Sequence, residues 1–368
     1  MNSENTFTGI VPINYRQVQF DGNAIEYTRI WVQNLLFTLL TLGLYSPWAK
    51  VRRMRYFYHH TVINGHRLRY TAEPWQILRG RVLALALFGL YFFATEFSQI
   101  TAIAITALVV LLLPWLLHQS YRFKLRNTAY RGVYFRLEAP LGVFYQVFLP
   151  SIAFLFMPNL LAGMFVYESW WESGLFLGLA ILPWIALPLI LGMFQRKIQQ
   201  HIWWGNQRVS VSGSTAGLIG GYIGHMVLAV LISFCIGIIL FAQNTESIFV
   251  LGALGVLLIT VPWLYLESYA MAAVQNSIWS KTRLNDVRFQ CNLSGFGLFK
   301  LRLINFVLTL ITLGLFQPAA KIRVARYRVA AILIEDASDR LIARQATRKA
   351  AGATGDSASE LFDLDIAL

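Results

Sequence analysis

Thr41-Leu-Gly-Leu-Tyr-Ser-Pro47 and Thr312-Leu-Gly-Leu-Phe-Gln-Pro318 are one phrase written twice, at an offset of 271. Each phrase interrupts an apolar segment, 30–48 and 301–320. Either segment is just long enough to cross a bilayer as one helix, which takes about 20 residues. Glycine ends helices and proline starts them. Each segment therefore also reads as a helix, a turn and a second helix that returns to its side of origin. Such a re-entrant hairpin is tolerated where protein covers the broken backbone. The second segment has Arg288, Lys300 and Arg302 at its start and Lys321, Arg323 and Arg326 at its end. That favours both ends facing one compartment. The first segment is preceded by Arg16 against Glu4, Asp21 and Glu26, which leaves crossing and re-entry both open.

The match runs beyond the phrase. Asn34 stands against Asn305. Pro47, Ala49, Lys50, Arg52, Arg55 and Tyr56 stand against Pro318, Ala320, Lys321, Arg323, Arg326 and Tyr327. Identities this dense at one offset point to an internal repeat.

Between the two copies the chain is apolar. The 368 residues are 57% hydrophobic and 13% charged, about half the charge of an ordinary soluble domain. Six further segments are long enough to span: roughly 77–95, 100–118, 142–167, 174–195, 218–243 and 248–267. They pair through short links that carry Glu96, Glu168, Glu172 and Glu246 and no Lys or Arg. The longer segments between pairs are basic: 50–81, 118–138 and 196–216. Lys/Arg bias orients a membrane protein with the basic loops in the cytoplasm. The net charge of +13 then points to anionic lipid headgroups as partners rather than to nucleic acid.

A finer pattern overlies the pairs. Pro-Trp recurs at Pro47, Pro114, Pro183 and Pro262, and becomes Pro318-Ala319 in the last copy. A basic aromatic stretch follows each, then a short alternating run such as His66–Tyr70, Val133–Leu137, Arg208–Val211 or Val287–Cys291. Period-two alternation beside Asn-Gly or Arg-Gly reads as a hairpin. The expectation is an all-α polytopic membrane bundle with small cytoplasmic β-hairpins. It has about five helix-hairpin units, six spans, and two short segments that span or re-enter. Residues 1–335 form this membrane domain, with a first unit at 15–72 and a last at 287–335; 336–368 form a cytoplasmic tail.

Phe20-Asp-Gly-Asn, Leu39-Leu-Thr-Leu-Gly-Leu-Tyr-Ser-Pro-Trp-Ala-Lys50, Arg55-Tyr56 and Asn127-Thr-Ala-Tyr-Arg-Gly-Val-Tyr-Phe135 resemble the YjgN-like family, bacterial inner-membrane proteins classed as domain of unknown function 898. The likeness covers roughly residues 15–335. The resemblance implies a multi-pass protein of the inner membrane. It brings no reaction, substrate or catalytic residue.

The candidate sites are therefore read from residue chemistry. Asn34, Asn305, His225 and Glu267 are polar groups within or at the ends of apolar segments, where they bridge helices or line a polar path. Lys50, Arg52, Arg53, Arg55, Arg122, Lys124, Arg126, Lys321, Arg323 and Arg326 are candidates for binding an anionic headgroup or solute. Pro47, Pro114, Pro183, Pro262 and Pro318 are candidate helix kinks. His59, His60 and His66 lack ligand spacing, and Cys235 and Cys291 have none either, so no metal and no cofactor are expected. No catalytic motif stands out, and an enzyme is not expected. Two functions stay open: transport or handling of a small solute or anionic lipid, and a membrane scaffold or regulator that docks partners through its cytoplasmic hairpins and tail.

Overall fold

Short strands alternate with long apolar helices along the chain, and the strands find each other across the helices. The computed structural model describes residues 15–162, 190, 192–212, 224, 227, 231, 248–284 and 287–335. The first strand is broken into β1 (Tyr15–Gln17) and β2 (Gln19–Phe20). Helices α1 (Ala24–Leu40) and α2 (Ser46–His59) follow, then β3 (Thr61–Ile63) and β4 (His66–Tyr70). Next come α3 (Pro74–Phe97), α4 (Gln99–Arg126), β5 (Thr128–Tyr130), β6 (Val133–Leu137) and α5 (Leu141–Ala162). A helical stretch at 192–199 leads into β7 (Ile202–Trp204) and β8 (Gln207–Val211). The chain continues through α6 (Ile248–Trp279), β9 (Thr282–Leu284) and β10 (Val287–Cys291). It ends on α7 (Gly295–Ile311), α8 (Gln317–Ala330) and β11 (Ile332–Glu335).

The eleven strands among the described residues form one antiparallel sheet, in the order β1-β11-β10-β9-β8-β7-β6-β5-β4-β3-β2. Its two ends, β1 and β2, are separated in the chain by Val18 alone, whose N–H donates to the Ile332 carbonyl at 2.9 Å. The sheet thus curls into a near-barrel, closed through the chain itself, and the edge-pairing hazard of an open sheet is removed.

One backbone bond recurs at each junction where a strand meets the end of a returning helix. Asp21 N–H donates to His60 O at 3.0 Å, Thr71 to Asn127 at 2.8 Å and Glu138 to His201 at 3.0 Å. Ser212 donates to Lys281 at 2.9 Å and Asn292 to Ala331 at 3.1 Å. The helices pack in sequence around the ring: α2 on α3, α4 on α5, α6 on α7, and α8 back onto α1.

Side chains fill the interior. One buried cluster draws on strands all round the ring, with Val18, Phe20, Leu68, Tyr130, Trp204, Leu284, Phe289 and Ile334 among its members. The Trp204 indole N–H donates to Val133 O at 3.2 Å, so its one polar group is satisfied. The cavity left among Val18, Ile63, Trp279, Phe289 and Ile332 is about 10 Å³, at the lower limit for one water.

This architecture corrects the expected all-α bundle. The hairpins are not separate small loops: each pairs with the next, and together they make the sheet on which the helices stand. The expected six spans are corrected with it. Among the described residues one helix, Ile103–Arg126, is long and apolar enough to cross a membrane. Most of 174–195 and 218–243, and the end of 142–167, lie outside the described residues.

Segments 30–48 and 301–320 are not single helices. Each is a helix, a tight turn and a second helix. Leu42 and Leu313 both sit at φ 49°, followed by Gly43 at 92° and Gly314 at 93°. Pro47 and Pro318 start α2 and α8, where a missing N–H costs nothing. A leucine in the left-handed region loses about 1–2 kcal/mol, and here both leucines are 94% exposed. Water offers nothing against that cost. Apolar surroundings would return about 1.5–3 kcal/mol for each leucine.

Ring closure depends on the contact between α8 and the start of α1, where Arg326 Nη2 donates to Gly22 O at 2.9 Å. Arg326→Gln is expected to lower unfolding stability by about 1.5 kcal/mol and to speed tryptic cleavage at Arg16. Thermal unfolding of the detergent-solubilised protein and a proteolysis time course check both.

Candidate functional site

The matched asparagines build the helical hairpins. Asn34 lies on α1 facing α2, buried. Its Oδ1 accepts from Arg52 Nη1 at 3.3 Å and its Nδ2 donates to Ala49 O at 3.5 Å. Asn305 repeats the arrangement between α7 and α8. Its Oδ1 accepts from Arg323 Nη1 at 2.9 Å and its Nδ2 donates to Ala320 O at 3.4 Å. The Arg52 fork also reaches Gln33 Oε1 at 2.9 Å and Tyr45 Oη at 3.3 Å. An asparagine at depth needs partners, and an arginine fork supplies several at fixed angles. The pair clasps the two arms of each hairpin.

A second set of polar side chains ties each returning helix to the loop that enters the next one. Arg55 Nη2 donates to Ala72 O at 2.9 Å, as Arg326 does to Gly22 O. Asn276 Nδ2 donates to Leu293 O at 2.9 Å and Arg196 Nη2 to Ser212 O at 3.1 Å. On α4 the His118 ring meets Ala139 O at 3.0 Å. Arg122 is half-buried on the same helix.

The remaining candidates are spread around the ring. Lys50, Lys124, Arg126 and Lys321 are engaged by neighbours, and Arg53 is half-buried on α2. Glu267 on α6 pairs with Arg302 on α7 at 3.0 Å. Pro114 and Pro262 lie inside α4 and α6, whereas Pro47 and Pro318 stand at helix starts and not at kinks. His225 and Pro183 fall outside the described residues.

One concave surface collects basic groups. A groove of about 460 Å³ runs between α2 and β4, lined by Arg52, Arg55, His59, His60, Arg69 and Tyr56, among others. Alternation along β4 turns Leu68 and Tyr70 into the core and leaves Arg67 and Arg69 exposed. Arg67 is held by Asp21, with Nη2 to Oδ2 at 2.6 Å. The Tyr56 hydroxyl donates to Asn23 O at 2.9 Å and accepts from Asn23 N–H at 2.8 Å. Burial, and behind it the Glu26 carboxylate, push this phenol up to about 12. It stays neutral at any physiological pH and adds no negative charge to the groove. Among the described residues no cluster of His, Cys, Asp or Glu is placed to hold a metal.

Sequence reading singled out Arg52 and Arg55 but missed their company. In the sequence His59 and His60 bear only on metal binding, and Arg69 only on the charge of its segment. The alternation of His66–Tyr70 was the available signal for Arg69. Its meeting with α2 depends on β4 lying beside α2 in the folded ring.

Residues 15–361 match the family described as "Bacterial protein of unknown function (DUF898)", and the chain belongs to that family. It is 30% identical to the inner membrane protein YjgN of Escherichia coli (strain K12) over 141 residues, 36% of this chain and 34% of that protein. The match thus spans about a third of that relative's length. With the inner membrane protein YjgN of Salmonella typhimurium identity is 23% over 339 residues, 82% of this chain and 84% of the relative. No solved structure matches the chain.

The clasp makes a quantitative prediction. In a double-mutant cycle of Asn305→Ala and Arg323→Gln, the coupling is expected to be about 1 kcal/mol or more, read from thermal unfolding. Additive losses would mean the two side chains do not act together.

Proposed function

We propose that this member of the family is a bacterial inner-membrane protein whose near-barrel lies at the cytoplasmic face, where the groove beside α2 holds anionic phosphate groups of lipid. The observation that carries the reading is a groove lined by Arg52, Arg55, Arg69, His59 and His60, in which Arg69 is exposed while Arg52 and Arg55 also hold Asn34 and Ala72. The exposed apolar side chains of α1, α3 and α4, Leu36, Leu85, Phe92 and Ile103 among them, favour a lipid setting. The strand ends of the helices carry the basic residues, which favours the cytoplasmic side for the sheet.

Holding is favoured over conduction. Passage along the ring axis needs a polar lumen, and the ring interior is filled by Tyr130, Trp204, Phe289 and their neighbours. Asn34 and Asn305, the best candidates for a polar lining, spend their hydrogen bonds on the hairpin arms. A scaffold that binds no ligand in the groove is the competing reading.

The Arg69 side chain makes no hydrogen bond or ion pair among the described residues, so it tests the groove without unfolding it. Native mass spectrometry of the purified wild type is expected to show retained phosphatidylglycerol or cardiolipin. Arg69→Gln should weaken retention roughly fivefold, the value of one basic residue near an anionic surface, and raised salt should weaken it further. Retention that is absent, or unaffected by Arg69→Gln, would favour the scaffold.

A further inference from the structure

The helical hairpins differ in reach. α3 and α4 have 24 and 28 residues, about 36 and 42 Å at 1.5 Å per residue. That exceeds the roughly 30 Å of a hydrocarbon core, although part of these arms is buried too, at Ile77 on α3 and at Tyr121, Phe123 and Leu125 on α4. α1 and α2 have 17 and 14 residues, and α7 and α8 again have 17 and 14. These arms are about 26 and 21 Å long, and part of each is taken up by the ring. On α2, Val51, Met54, Tyr56 and Tyr58 are buried against it. Apart from Ile25 and Phe296 at the helix starts, the exposed large apolar side chains run from Val32 to Leu44 in the first hairpin and from Ile304 to Leu315 in the second. Each stretch covers at most about 18 Å, a little over half the core.

Both ends of each short hairpin are fixed on the same side. β2 and β3 flank α1–α2 and pair with each other. β10 and β11 flank α7–α8 and pair likewise. The two hairpins are also neighbours, because α8 packs on α1. No charged residue occurs between Arg29 and Lys50 or between Arg302 and Lys321. The turns place leucine in the left-handed region, where glycine or asparagine is at ease, and leave it 94% exposed in both copies. A turn in water gains nothing from that choice; a turn among acyl chains does.

We propose that these two adjacent hairpins enter only the leaflet nearest the near-barrel and end about midway through the bilayer. Their tips, Leu39, Leu40, Leu42 and Leu44 with Leu313 and Leu315, are covered by acyl chains. On this side the protein is a half-depth ledge, with lipid of the far leaflet lying beyond the tips. Elsewhere the longer α3–α4 hairpin, whose second arm holds the span Ile103–Arg126, reaches deeper. The inference does not rest on the headgroup reading: loss of headgroup binding would leave the hairpin depth unchanged.

Depth is measured directly with single cysteines in the full chain carrying Cys235→Ser and Cys291→Ser. Leu42→Cys and Leu313→Cys are labelled with bimane and reconstituted with phosphatidylcholine spin-labelled at the headgroup, high on the acyl chain or near its end. Ser98→Cys, at the turn between α3 and α4, serves as the reference for the far face. The expected result is strongest quenching by the label near the chain end, and no reaction with a membrane-impermeant maleimide from either side. Ser98→Cys is expected to react from the side away from the near-barrel. Reaction of Leu42→Cys or Leu313→Cys from that side would overturn the proposal, since the hairpins would then cross. Strongest quenching by the headgroup label would overturn it too, since they would then lie at the surface. If either variant fails to fold, Leu40→Cys and Ile311→Cys report on the same tips.

Discussion

The strand at residues 15–20 serves two neighbours with its two halves: β11 pairs with β1 and β3 pairs with β2. That division closes the sheet. Strands of two to five residues carry few hydrogen bonds each and would make poor edges. In the near-barrel each strand from β3 to β11 has partners on both sides, and five equivalent backbone bonds anchor returning helices to it. Helix placement follows from the ring. Each helix pair leaves from one strand and returns to the adjacent one, so all described pairs project from the same rim.

The polar side chains divide accordingly. Those in the apolar hairpins are consumed locally, as Asn34 is by Arg52 and Asn305 by Arg323. Those at the rim bind carbonyls at helix entrances, as Arg55 and Arg326 do. Much of the positive charge thus has structural employment. A basic residue counts toward ligand binding only where it faces open space, and Arg69, exposed in the groove, meets that condition.

Sequence alone reached the local grammar. The offset of 271 matched Asn34 with Asn305 and Arg52 with Arg323, and both pairs make the same bond. Gly-Leu followed by proline announced the turns at 41–45 and 312–316. Alternation found β4, β6, β8 and β10. What stayed hidden was long-range pairing. Leu68 meets Tyr130 across a helix pair, and nothing local to His66–Tyr70 says that its free edge belongs to Thr128–Tyr130. β11 and β1 lie at opposite ends of the chain. Apolar composition weighted the reading toward helices, and a sheet of three-residue strands leaves a faint trace beside them. The groove was hidden for the same reason, since Arg69 and His60 come together only when β4 lies along α2.

Closure of the ring is the central claim, and the pairing of Tyr15 with Glu335 allows it to be trapped. Directly opposed residues of antiparallel strands have Cα atoms about 4.5–5.5 Å apart, within disulfide range. In a chain lacking Cys235 and Cys291, Tyr15→Cys with Glu335→Cys should oxidise to a disulfide within one chain, seen as a mobility shift of the monomer that reductant reverses. Failure to cross-link, or cross-linking only between chains, would contradict the closed near-barrel.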